Sequence, residues 1–237
     1  MIKKTAIPTL PLRSTLILLL TLTVSSGTAR QVRAVYFSGP GGALSTAHIV
    51  GESVELELEL PQRNLSPAVD IPSGDLQLVA LPEPLAADAE IPEGAPQIRI
   101  PASWQRCILI FLGDPDNPVF PARVIPVNGA GEGFSKGSTY VYNLSNYTVG
   151  GKFGEKRLVV KPGQNGSFGA PIQEFGSYAV AIDFIAEGDS TPTALFRSYW
   201  QHDPEARQIL FVVPQIGQKR PRIWSVFDRG GANEAEQ

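Results

Sequence analysis

Apolar and charged residues alternate without a break from Val54 to Leu60: Val54, Leu56, Leu58 and Leu60 are separated by Glu55, Glu57 and Glu59. A period of two sends successive side chains to opposite faces of an extended chain, so this segment predicts a strand with one apolar and one acidic face. Tyr178, Val180, Ile182 and Phe184 repeat the pattern. Two denser runs, Cys107 to Leu112 and Ile209 to Val213, show no alternation. Short continuous apolar runs of this kind predict strands covered on both faces.

Breakers separate these segments at short spacing: Gly39 to Gly42, Gly113 to Asp116, Gly129 to Gly133, Gly150-Gly151 and Pro162 to Gly166. Many short strands joined by turns point to a sandwich or barrel. No helical stripe longer than about two turns is present. The stretch from Pro82 to Pro96 holds four prolines and four acids and reads as an extended, solvated loop. Residues 229–237 are small and polar and are expected to form a disordered tail.

The chain also resembles itself. Asn64-Leu65-Ser66, Val69, Leu78-Val79 and Pro82, followed by Trp104-Gln105, Arg106, Ile108-Leu109 and Arg123-Val124, form one series. Asn143-Leu144-Ser145, Val149, Leu158-Val159 and Pro162, followed by Trp200-Gln201, Arg207, Ile209-Leu210 and Arg222-Ile223, form another in the same order. The spacing grows from 79 residues at the asparagines to 101 at Arg106 and Arg207, as loop insertions would produce. Arg33 to Phe37 also matches Arg123 to Val127, which suggests that each unit opens with such a strand. The expected architecture is all-β, with two tandem immunoglobulin-like β-sandwich domains related by an internal repeat, at residues 33–122 and 123–228.

Composition adds the compartment. Lys3, Lys4 and Arg13 precede an apolar run from Leu16 to Val24 and then small residues up to Ala29, the pattern of a secretory signal peptide over residues 1–29. Cleavage is expected after Ala29, with Ala34 the other candidate. The apolar run is far shorter than the ~20 residues a bilayer span needs, so no membrane span is expected after cleavage. Losing three bases shifts the formal net charge from -3 to -6, which disfavours nucleic acid and anionic membrane surfaces as partners. Cys107 is the single cysteine and permits no internal disulfide. Export without disulfides points to a bacterial envelope: periplasm, outer surface or extracellular space.

The chain is poor in catalytic chemistry. A nucleophilic triad needs a histidine, and only His48 and His202 exist. His202 lies in a stretch read as a surface loop insertion, and Cys107 reads as a buried strand residue. No cofactor motif and no cysteine or histidine cluster suited to a metal appears. Asp114-Pro115-Asp116-Asn117-Pro118 and Glu187-Gly188-Asp189 read as hairpin turns rather than calcium loops. Two carboxylates on facing strands would suffice for a hydrolase, which strand spacing leaves open. Trp104 and Trp200 match in the repeat and are assigned a shared core role. Tyr140, Tyr142 and Tyr147 are the candidates for a binding surface: Tyr140 and Tyr142 lie two apart and share a face, which is exposed if Val141 faces the core.

The functional expectation is therefore an exported, non-catalytic envelope protein that docks a protein partner through strand edges, as an accessory of a surface, pilus or secretion assembly. The alternative is a carbohydrate-binding module for a polysaccharide.

Overall fold

A computed structural model describes residues 30–37, 44–86, 88–130, 135–215 and 217–229; residues 1–29, expected to form a signal peptide, and the expected tail beyond Arg229 lie outside the described residues. Among the described residues there are sixteen strands and no helix. The first half contains β1 (Arg30–Phe37), β2 (Thr46–Gly51), β3 (Val54–Glu59), β4 (Val69–Ile71), β5 (Leu76–Leu81), β6 (Gln97–Ile100), β7 (Arg106–Gly113) and β8 (Ala122–Asn128). The second contains β9 (Thr139–Asn143), β10 (Thr148–Phe153), β11 (Lys156–Val160), β12 (Asn165–Phe168), β13 (Gly176–Ile185), β14 (Thr193–His202), β15 (Arg207–Val213) and β16 (Arg222–Asp228).

The strands form four four-stranded sheets. In the first half the orders are β3-β2-β5-β6 and β4-β1-β7-β8; in the second they are β11-β10-β13-β14 and β12-β9-β15-β16. Each second-half order is the first-half order with eight added to every strand. The parallel pair matches too, β1 with β7 and β9 with β15.

Side-chain alternation stacks these sheets in four layers. On β1, Val32, Ala34 and Tyr36 join Leu109 and Phe111 of β7 against Ala47, Ile49, Leu58, Leu78 and Ile98 of the outer sheet. The opposite faces of β1 and β7 present Val35, Phe37, Ile108, Ile110 and Leu112 to Tyr140, Tyr142, Ile209, Phe211 and Val213 of the second half. Val141, Leu210 and Val212 then face the other outer sheet, against Val149, Val180 and Ile182. The two dense apolar runs are thus the strands covered on both faces, each lying between an outer sheet and the other half. Burying one such side chain contributes roughly 1.5–3 kcal/mol.

Polar links cross the central seam. Asp228 accepts from Arg33 of β1 and from Arg207 of β15, both at 2.7 Å. Trp224 donates its indole N–H to the Gln62 carbonyl at 3.1 Å and packs 4.7 Å from Phe37. At the start of β1, the buried Arg30 guanidinium donates to the carbonyls of Pro72, Gly74, Pro101 and Trp104.

Two expectations need correction. Ala122 to Asn128 pair antiparallel with β7 and complete the first inner sheet, so residues 123–128, expected to open the second unit, lie in one sheet with β1 and β7. The strand Arg123 to Val127 is therefore an edge strand and no counterpart of the central Arg33 to Phe37. The repeat is also only half in register. Arg106, Ile108-Leu109 and Arg123-Val124 do occupy the same strand positions as Arg207, Ile209-Leu210 and Arg222-Ile223, because Ile108 faces Val127 as Ile209 faces Val226. The earlier matches do not: Leu78 lies on β5 but Leu158 on β11, and Asn64 precedes β4 while Asn143 ends β9. Leu78 corresponds by register to Val180, since each pairs with the last residue of the strand entering a two-residue hairpin, Gly51 and Phe153.

Candidate functional site

Tyr140 and Tyr142 do share one face, with ring centroids 4.9 Å apart, but that face is the seam between the inner sheets. Tyr142 stacks on Phe211 and donates to the Asn128 carbonyl at 2.7 Å; Tyr140 donates to the Asn165 side chain at 3.1 Å. Burial pushes both phenols above their ordinary pKa. Val141 faces a core as supposed, yet its neighbours are buried because the other face is covered as well. Tyr147 is half-buried, edge-on to Phe184 at 5.1 Å. The three tyrosines do not form a surface patch.

His202 also departs from expectation. It is the last residue of β14, 5 % exposed, and its Nε2 is buried without a hydrogen-bond partner. Burial lowers its pKa and outweighs the nearby Asp203. His48 is half-buried on β2, opposite Glu57. Cys107 is buried as expected, and desolvation pushes its thiol up to about 12, outside the range of a reactive thiolate. Asp114 to Asn117 form a turn in which the Asn117 side chain accepts from the amides of Val119 and Phe120. Among the described residues no group of three or more His, Cys, Asp or Glu is placed to hold a metal. Trp104 and Trp200 each pack on a core, one per half. They are not register equivalents, since Trp200 faces Tyr178 while Ile100 faces the corresponding Leu76.

The accessible chemistry gathers instead on the outer sheet of the second half. The registers place Arg157, Lys152, Ala181 and Arg197 in one row across all four strands. Lys152 and Arg157 face each other directly, an arrangement that destabilises a sheet unless an anion sits nearby. Arg197 is tied to Asp183 and Lys152 to Glu155. In the adjoining row stand Ala179 and Tyr199, the latter 73 % exposed. Small residues at Ala179, Ala181 and Gly154 leave a hollow of about 680 Å3 beside the Tyr199 ring, with Ser177 and Ser198 on its wall and Glu155 the single carboxylate among its lining residues.

β14 is the outermost strand of this sheet, ten residues long and mostly exposed. An edge strand carries backbone groups that a second chain can pair with. At its beginning the Arg220 guanidinium donates to the Ala194 and Leu195 carbonyls and closes off that end. From Phe196 onward β14 borders a groove of about 490 Å3 that opens between it and β16, with Leu195, Phe196, Trp200 and Ile223 as its apolar wall. Arg220 and Arg222 stand on the rim, Arg222 lying 4.3 Å over the Trp224 ring, and no carboxylate is among the lining residues.

Sequence reasoning missed β14 because its apolar residues do not alternate cleanly. A register shift at Ile182/Asp183 makes Leu195 an extra residue in this strand beside Phe196, and Tyr199 and Trp200 are neighbours on opposite faces, so both faces carry apolar residues and no alternation shows. The chain matches no protein-family model, and no curated protein matches it in sequence.

Proposed function

We propose that this chain is an exported, non-catalytic component of a bacterial cell envelope, built from two immunoglobulin-like sandwiches that arose by duplication and docking a protein partner along β14. The observation that carries the reading is the long open edge of β14 on an outer sheet, flanked by Tyr199 and Arg197. An extended segment pairing there gains main-chain hydrogen bonds, with side-chain pockets for selectivity. Identical strand order in the two halves supports the duplication. Cleavage after Ala29 fits better than after Ala34, which would remove the buried Arg30, Val32 and the Arg33 link to Asp228.

The test is an affinity pull-down from the source organism's envelope extract with the chain from residue 30 onward. One enriched protein supports the reading, and its loss when β14 is altered places it there. Enriched polysaccharide without protein favours a carbohydrate-binding module, a reading that the exposed Tyr199 ring at the hollow supports. In that case Tyr199→Ala abolishes glycan binding.

A further inference from the structure

The two halves share strand order but differ at one place. In the first half the side of the sandwich between β6 and β8 is closed: those strands approach each other, Ile98 and Ile100 of β6 are fully buried, and Phe120 from the β7–β8 connection fills the space at 0 % exposure, edge-on to Phe111 at 5.9 Å. In the second half β14 and β16 make no such approach. Ser198 and Trp200, which take the register positions of Ile98 and Ile100, are exposed and half-buried.

By register, Pro214 and Pro221 stand where Gly113 and Ala122 pair, so the connection between those positions is two residues shorter in the second half. Counting back from β8 and β16 at the register of Val127 with Val226, the position of Phe120 is taken by Lys219, which is exposed. The gap that an aromatic ring plugs in the first half is thus left as the groove beside β14, with Leu195, Phe196, Trp200 and Ile223 only half-buried along it.

We propose that this groove receives an extended segment of a partner protein, which pairs with β14 and inserts one aromatic or large aliphatic side chain where Phe120 sits in the first half. The inference rests on the docking reading above and names the chemistry of the partner. Arg220 and Arg222 line the groove with no carboxylate among its lining residues, and the exposed Lys219 directly precedes them in the chain, so the segment carries acidic residues beside its apolar anchor. The connection that plugs the first half has this composition itself, with Asp114 and Asp116 ahead of Phe120.

The test uses the chain from residue 30 onward and an end-capped synthetic peptide of alternating sequence, one phenylalanine between glutamates, with an alanine version as control. The phenylalanine peptide binds, shifts tryptophan emission and slows backbone amide exchange over residues 196–201. The alanine version binds at least about tenfold more weakly, as loss of a buried anchor requires. Lys219→Phe, which installs the chain's own plug, weakens the phenylalanine peptide by at least about tenfold, while Lys219→Ala changes it by no more than about threefold, the effect of one rim charge. Absence of binding, or equal binding to Lys219→Phe, overturns the proposal. Should Lys219→Phe not fold, the exchange pattern on the unaltered chain decides: slowing confined to any other strand overturns it. If Lys219→Phe still captures the envelope partner unchanged, the groove is wrong and the docking reading stands. If the peptide fills the groove but no envelope protein is captured, the docking reading fails.

Discussion

Asp228→Asn is the substitution whose cost follows most directly from the seam between the halves. Asp228 is 5 % exposed and accepts from Arg207 and Arg33, each at 2.7 Å. The Arg207 side chain is 9 % exposed and that of Arg33 25 %. Neutralising the acid keeps the shape but removes the negative charge that the buried Arg207 faces at 2.7 Å. Breaking a buried pair from one side costs about 3–5 kcal/mol, a large fraction of the ~5–15 kcal/mol that holds a domain folded. Arg33→Met removes the partner with more access to water and costs about 1 kcal/mol. The double change Asp228→Leu with Arg207→Met removes the charges together and recovers most of the loss. Urea unfolding at pH 7, followed by tryptophan emission, reads all three, since Trp224 lies in the same seam. A loss below about 1 kcal/mol for Asp228→Asn, or a double variant as weak as the single, refutes the reasoning.

Three further outcomes follow from buried groups. His202 has its folded pKa lowered from 6.5 by burial, so its contribution to stability is complete above pH 6.5 and is lost as pH falls from there through the folded value. His202→Leu therefore has a shallower fall in Tm between pH 7 and about pH 5, and a difference in Tm that stays constant across that range contradicts the assignment. Cys107 resists thiol reagents at pH 8 in the native chain and reacts on unfolding in urea, in line with a thiol pushed up to about 12. Phe120→Ala opens a cavity and costs about 3–5 kcal/mol in denaturant unfolding, whereas Lys219→Ala at the matching position stays within ~0.5 kcal/mol.

Strands with one wet face were legible from the sequence because their alternation is a direct record of burial. Val54 to Leu60 and Tyr178 to Phe184 fold as read. The unbroken runs at Cys107 and Ile209 announced double coverage correctly, but nothing in either run names what covers it. That missing information misplaced Tyr140 and Tyr142: alternation says they share a face, and only the packing of one half on the other decides whether that face is wet. The repeat misled for a related reason. Asn-Leu-Ser followed by Val and Leu-Val recurs wherever a turn meets a strand, so Leu78 aligned with Leu158 at a spacing of 80 while the folded correspondence is Val180. The residues after His202 read as a surface loop, and Asp203 to Ala206 do form a turn, yet His202 itself closes β14 one residue earlier. The pairing of Phe120 with Lys219 emerges only once β8 and β16 are in register.

The most direct test of docking along β14 is site-specific photocrosslinking in living source cells. A photoreactive residue replaces Tyr199 in one strain and Arg99, its register counterpart on the exposed face of β6, in another. Docking at β14 predicts that position 199 crosslinks to one envelope protein and position 99 does not. Crosslinking from position 99 alone, or from neither position while the chain still captures that protein, contradicts it.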